Sequence, residues 1–272
     1  MTEKTYQTPC GKIHYWINSI DNNRASLVFL PGLTANHKLF EKQTEYFKDK
    51  YNIFVWDAPG HSASWPFDLT FELKDMALWL DEILHIENIH NPIFIGQSMG
   101  GCISQVYAQL FPYKMSGFIS IDSFSLKRKY FSKSDIWFLE RLEPTFKAIP
   151  WKSLLNIAKT GLAESQYGQE LMYNITMDYD GDKKRYAKLA GHGYKIIAGA
   201  VKENLPYDIK CPTLLICGDK DRAGFCLKFN KQWHENTGIP IEWINGAGHN
   251  SNTDNPELTN RLIEDFVENT VN

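Results

Sequence analysis

Ser98 stands in the run Ile93-Phe94-Ile95-Gly96-Gln97-Ser98-Met99-Gly100-Gly101, where an apolar segment gives way to a helical pattern. A serine at so tight a strand-to-helix turn must adopt a sparsely allowed backbone conformation, and its neighbours must be nearly free of side chain, as Gly96 and Gly100 are. The chemistry this placement offers is nucleophilic attack. A free serine hydroxyl is a poor nucleophile near neutral pH, so the spacing predicts a histidine base, a carboxylate to orient it and two donors for a developing oxyanion. The plainer alternative is a serine that caps the helix following it.

The partners should lie just after other strands, because ligands gather at the carboxyl ends of parallel strands. After Leu27–Leu30 comes Pro31-Gly32-Leu33-Thr34, where the glycine lets the backbone swing inward and the amide of Leu33 can serve an oxyanion. The amide of Met99 is its expected mate, and the loss of one such donor typically costs about 2.7–4 kcal/mol in the transition state. After Thr213–Cys217 comes Gly218-Asp219-Lys220-Asp221, and after Ile241–Ile244 comes Gly246-Ala247-Gly248-His249-Asn250. His249 is the histidine in a glycine-flanked loop directly after the last strand, so it is the expected base. Asp221, Asp219 and Asp122 all stand at strand ends and compete as the acid; the plainer role of Asp122 is to cap the helix that follows. His61 is expected to brace its loop, with Asp57 holding that turn by hydrogen bonds. His37 is expected at the surface or behind the substrate, and His192 within the helical region. Cys102 reads as a small core residue. No histidine–carboxylate cluster stands at ligand spacing, so neither a metal nor a cofactor is expected.

The elements that must position these residues are short apolar runs alternating with helical patterns. Leu27–Leu30, Ile53–Trp56, Ile93–Ile95, Phe118–Ile121, Thr213–Cys217 and Ile241–Ile244 read as strands buried on both faces, which predicts a mostly parallel central sheet flanked by helices. Lys4–Thr8 and Lys12–Asn18 alternate around Gly11 and predict an antiparallel hairpin at the sheet edge. Leu69–Leu84, Met99–Leu110 and Pro256–Val267 read as amphipathic helices, with Thr70 and Asn255-Pro256 as their start signals. From Ser123 to Leu205 the rhythm breaks, with helical stretches and many aromatics (Tyr130, Phe131, Trp137, Phe138, Phe146, Trp151, Tyr167, Tyr173) but no convincing strand. The expected organisation is a core of residues 1–122 and 206–272 with a helical cap, 123–205, inserted after the sixth strand. Most of the cap's aromatics are expected to be its own core, with some apolar surface turned inward.

Composition bounds the partners. With 272 residues, 43% of them hydrophobic and 22% charged, the chain can bury a large core without disulfides. A net charge of −3 lacks the basic footprint of a nucleic-acid binder and fits a small, neutral or weakly charged substrate. Five cysteines without a CxxC pair are expected to be reduced. The first residues lack a signal-peptide pattern and no apolar run has the length of a membrane span, so a soluble cytoplasmic protein without membrane insertion is expected.

Taken together, LPGLT at 30–34, DAPGHSAS at 57–64, GQSMGG at 96–101, GDKD at 218–221 and GAGHN at 246–250 make the chain resemble the α/β-hydrolase family. The likeness is to its capped serine hydrolases of esterase, lactonase and haloperoxidase type, and it covers almost the whole chain outside the insertion. The serine, acid, histidine order is the family's. The resemblance implies Ser98 as nucleophile, His249 as general base and then acid, and, from the family's G-x-x-D, Asp221 as the orienting carboxylate. Two departures stand out. Pro31 occupies the place where the family often has histidine before the oxyanion-loop glycine, and Arg222-Ala223-Gly224-Phe225 replaces the usual apolar or proline-containing turn.

The expected function is hydrolysis of a carboxylic ester through an acyl-enzyme. Thioesters, lactones and carbon–carbon bonds beside a carbonyl are open alternatives on the same triad. An epoxide hydrolase or dehalogenase, with aspartate at the elbow in those relatives, fits less well. From a different class, a ligand-binding or receptor-like member with weak catalysis is the alternative, and the complete serine, acid and histidine set speaks against it.

Overall fold

The computed structural model describes residues 1–224 and 226–271. The predicted runs form one eight-stranded sheet: β1 (Thr2–Thr8), β2 (Gly11–Ile17), β3 (Ser26–Leu30), β4 (Asn52–Asp57), β5 (Ile93–Gln97), β6 (Gly117–Ile121), β7 (Thr213–Gly218) and β8 (Ile241–Ile244), in the spatial order β1-β2-β4-β3-β5-β6-β7-β8. The first two strands make the expected antiparallel hairpin, and β2 also runs antiparallel to β4. The remaining pairs are parallel, so the carboxyl ends of β3, β5, β6, β7 and β8 share one edge of the sheet.

Side-chain alternation explains the unbroken apolar runs. Val28, Leu30, Phe54, Trp56 and Phe94 pack into a core on one face, while Leu27, Phe29, Ile53, Val55, Ile93 and Ile95 pack into a second core on the other. Both faces are dry, so neither parity can be polar. The strand β8 departs from this expectation. As the edge strand it leaves Glu242 exposed and Trp243 41% exposed, and it buries only Ile244 fully.

Helices α1 (Glu41–Phe47), α2 (Leu73–Ile86) and α3 (Met99–Leu110) accompany the first half of the sheet. The expected start of α2 at Thr70 is corrected: the helix begins three residues later, where the Asp75 carboxylate accepts a hydrogen bond from the Glu72 N–H at 2.8 Å. A carboxylate at the third helical position satisfies a free N-terminal donor, and this contact sets the boundary. Between β6 and β7 the regular helices are α4 (Lys133–Leu139), α5 (Glu143–Ala148), α6 (Trp151–Leu162), α7 (Gln166–Met177) and α8 (Lys183–Lys202), with no strand among the described residues. Then follow α9 (Cys226–Thr237), α10 (Ser251–Asp254) and α11 (Pro256–Val271), the last running a turn beyond the expected end. Asn255 Oδ1 accepts from the Leu258 N–H at 3.1 Å, as a residue opening a helix should.

Candidate active site

At the end of β5 the chain turns into α3 through Ser98, whose φ of 51° and ψ of −116° place a non-glycine residue in strained backbone. Its side chain makes no capping hydrogen bond to the helix, which removes the plainer role for this serine. The turn is possible because its flanks lack Cβ atoms. One on Gly100 would lie 1.8 Å from the Leu30 carbonyl oxygen, and one on Gly96 would lie 2.5 Å from the backbone of Gly100 and Gly101. The turn is held from outside as well: the Ser98 N–H donates to the Ile121 carbonyl at 2.9 Å and the Ser123 hydroxyl to the Ser98 carbonyl at 2.6 Å.

His249 and Asp221 come together from the loops after β8 and β7. The imidazole Nδ1 lies 2.9 Å from Asp221 Oδ2, and both residues are buried. The other Asp221 oxygen accepts from the Ala223 N–H at 2.8 Å. Burial alone would lower the histidine's pKa, but the charge and hydrogen bond of Asp221, together with the charge of Asp122, outweigh it and hold His249 above its usual value. The carboxylate therefore stabilises a protonated imidazole, as a general base needs after it has taken a proton.

The rival acids have other partners. Asp219 is exposed and accepts from the Gly246 N–H at 2.7 Å, which shapes the loop leading to His249. Asp122 does not cap a helix as expected: it is fully buried and accepts from the Gly218 N–H at 2.7 Å, the Ser251 N–H at 2.8 Å and the Ser251 hydroxyl at 2.7 Å. It thus ties β7 to the segment just after His249. Burial first, and the nearby charge of Asp221 second, push its carboxyl up to about 7.

Two cavities reach Ser98 and His249. The larger, about 230 Å³, is walled by Phe124, Phe131, Phe138, Phe146, Ile197 and Phe229, with Leu33 and Met99 at its floor. The smaller, about 130 Å³, also contains Leu33, and adds Thr34, Gln97 and Asn250. Leu33 and Met99 are therefore brought beside Ser98 as expected, and the Met99 N–H is one of the free N-terminal donors of α3. Phe131, Phe138 and Phe146 line the larger cavity and form the apolar surface the inserted helices are expected to turn inward.

His37 lies against Asp57, with Nδ1 2.8 Å from its carboxylate, and stacks on Trp16. Asp57 also accepts from the Ala63 N–H at 2.9 Å, and His61 Nδ1 is 3.1 Å from the Pro59 carbonyl, so this loop is braced as the sequence predicts. Burial lowers both His61 and His192 to about 4, which keeps them neutral, while burial pushes the Cys102 thiol up to about 12. Phe225 of the unusual turn lies outside the described residues.

The fold also gathers two groups that linear spacing did not announce: Asp221 with Cys226 and His249, and Asp122 with Cys217 and Asp221, each with ligand atoms within 4.8 Å of one another. Burial raises both thiols well above their usual value, so in the structure as it stands they are neutral.

Gln97 and Asn250 were missed by sequence reading. Gln97 Nε2 donates to the His249 carbonyl at 2.9 Å and to Asn250 Oδ1 at 3.0 Å, joining the residue before the serine to the loop that carries His249. Their adjacency to Ser98 and His249 was the available signal, but an amide has no titration or spacing rule to mark it.

Comparison with known proteins bears on the family and the fold. Pimeloyl-[acyl-carrier protein] methyl ester esterase of Yersinia enterocolitica is 24% identical over 272 residues, covering 93% of this chain and 97% of its own. The 3-oxoadipate enol-lactonase 2 of Acinetobacter baylyi is 32% identical over 98 residues, a match that spans only 35% of each chain. Among solved structures, a thermophilic esterase from Thermogutta terrifontis superposes with a TM-score of 0.79 over 99% of both chains at 16% identity, a likeness of fold alone. Among the described residues no helix is long and apolar enough to cross a membrane. Residues 25–225 match the family described as alpha/beta hydrolase fold, and the chain belongs to that family.

Proposed function

We propose that this protein is a serine hydrolase that cleaves a carboxylic ester of a small, partly apolar substrate through an acyl-enzyme. The observation that carries the reading is the strained Ser98, accessible from the same cavities as His249, whose far ring nitrogen is bonded to Asp221. In this reading His249 Nε2 takes the Ser98 proton as the hydroxyl oxygen attacks the carbonyl carbon. The amides of Leu33 and Met99 donate to the oxyanion, and the imidazolium then protonates the departing alkoxide. Water enters, loses a proton to His249, attacks the acyl carbon and releases the acid with Ser98 restored. Apart from water, these steps use only groups of the chain.

Substrate character follows from the walls. Among the described residues lining the two cavities there is no Lys, Arg, Asp or Glu, so a charged substrate arm would be desolvated without a partner. A neutral ester with a phenyl-sized apolar arm suits the larger cavity. The helices between β6 and β7 act in this reading as a cap, which supplies Phe131, Phe138 and Phe146 and is anchored to the loop after His249 where the Asn250 N–H donates to the Leu162 carbonyl at 2.9 Å. The five cysteines are free, which supports a reducing cytoplasmic setting.

The test is active-site labelling with a fluorophosphonate, run beside turnover of neutral aryl-alkanoyl esters. The wild type should label stoichiometrically and Ser98→Ala should neither label nor turn over substrate; labelling or full turnover by Ser98→Ala would overturn the reading.

A further inference from the structure

Asn250 is bonded on every side but one. Its N–H donates to the Leu162 carbonyl, its carbonyl accepts from the Thr253 N–H and hydroxyl, both at 2.9 Å, and its Oδ1 accepts from Gln97 Nε2 at 3.0 Å. The orientation of both amides is fixed by logic as well as distance. The His249 carbonyl can only accept, so Gln97 turns its NH₂ that way, and the oxygen of Asn250 must then face the same NH₂. This leaves Asn250 Nδ2, in a residue only 2% exposed, with no hydrogen-bond partner in the protein. Buried donors without partners are rare and costly, and this one is held too firmly to turn elsewhere.

Asn250 lines the smaller of the two cavities at Ser98, alongside Thr34 and Gln97. Phe146 and Tyr194 border both cavities, with their rings stacked at 10°, so the two spaces are distinct arms meeting at the serine. The smaller space, about 130 Å³, suits a short arm, and the larger, about 230 Å³, a longer apolar one. An NH₂ group with no Lys or Arg beside it is matched to a neutral acceptor.

We propose that the smaller cavity is a subsite for a short substrate arm bearing a neutral acceptor oxygen, an ether, ester or ketone, to which Asn250 Nδ2 donates, while an apolar arm fills the larger cavity. This rests on the serine-hydrolase reading of Ser98 and adds the class of substrate. Asn250 is a specificity residue here: its N–H is worth nothing to a substrate whose short arm is pure hydrocarbon, and such a substrate leaves the donor unpaired in the complex.

The test uses two isosteric ester pairs, so that either arm is allowed to be the acyl side. Butyl and 2-methoxyethyl 3-phenylpropanoate form one pair, and 2-phenylethyl butanoate and 2-phenylethyl methoxyacetate the other. Each oxygen-for-methylene ratio of kcat/KM is divided by the same ratio for hydroxide hydrolysis, which removes intrinsic reactivity. In one pair the wild-type ratio should be about fivefold, the typical net worth of one neutral hydrogen bond. Asn250→Leu should bring it to about one. Asn250→Asp, which still accepts from Gln97 and presents oxygen in place of the donor, should bring it below one. A merely structural role would lower both members of a pair alike and leave the ratio unchanged. If Asn250→Leu proves unfolded by circular dichroism, the Asn250→Asp ratio decides. A wild-type ratio near one in both pairs, ratios that survive both substitutions, or failure to hydrolyse any of the four esters would overturn the proposal. Fluorophosphonate labelling of Ser98 judges the underlying reading separately.

Discussion

The carboxylate of Asp122 accepts two hydrogen bonds from one residue, Ser251, at 2.8 Å from its N–H and 2.7 Å from its hydroxyl, and a third from the Gly218 N–H. It stands behind the His249–Asp221 pair and fixes the two loops that carry them. Asp122→Asn places an NH₂ where one of these donors now finds an oxygen, so the variant should lose about 1–3 kcal/mol of stability. The loss depends on pH with a definite sign. Asp122 is raised to about 7 in the folded chain. An acid raised on folding contributes fully below its unfolded value of about 3.9 and loses that contribution as pH climbs through its folded value. The stability gap between wild type and Asp122→Asn, measured by urea unfolding, should therefore be wide near pH ~5 and narrower near pH ~8; a gap that widens with pH contradicts this.

The raised pKa of His249 sets the acid limb of activity. The base works neutral, so kcat/KM should fall on the acid side of a midpoint above the ordinary histidine value of about 6.5. The linked stability runs the other way: it is full below about 6.5 and is lost as pH rises through the folded value. Asp221→Asn should move the midpoint down and lower kcat roughly 10⁴-fold by favouring the wrong tautomer. Asp219→Asn should shift the midpoint little, because its carboxylate holds the Gly246 N–H in solvent. A pH–rate profile of the two variants separates the rival acids, and the larger loss in Asp219→Asn would reverse their roles.

Gly100→Ala tests the turn. Its Cβ would meet the Leu30 carbonyl oxygen at 1.8 Å, a backbone atom that cannot swing aside, so α3 or β3 must move. The expected cost is about 3 kcal/mol or more, at the upper end for overpacking, with ester turnover falling even where the variant folds. Thermal unfolding and turnover measured together check it; a variant as stable and active as wild type would show that the elbow tolerates a side chain.

Phe146→Ala should merge the two cavities. The ring borders both and stacks on Tyr194, and its removal opens one space where there were two. The preference among esters graded in acyl length should broaden toward longer chains, with KM for the best short substrate rising by about three- to tenfold through lost apolar contact. An unchanged length profile would place the boundary elsewhere.

Much of this molecule is legible along the chain. Strands buried on both faces leave a run such as Leu27–Leu30 without a polar residue, and a turn as tight as that at Ser98 tolerates only Gly96 and Gly100 beside it, so sheet, elbow and candidate base follow from local chemistry. Edges and boundaries are less local. The strand β8 carries apolar residues yet lies at the margin, and α2 starts where Asp75 can reach back rather than at Thr70.

What only the tertiary structure decides is which residues face one another across loops far apart in sequence. Asp221, Asp219 and Asp122 are equivalent as strand-end carboxylates, and the folding of the β7 and β8 loops alone sets Asp221 against His249, Asp219 against Gly246 and Asp122 against Ser251. The amide of Asn250 has no linear signature at all. Its meaning arises because Gln97 occupies its oxygen and the fold leaves its nitrogen buried and unpaired. Composition and period report one-dimensional constraints on burial and backbone; the roles of polar side chains are set by partners, and partners are chosen by three-dimensional packing.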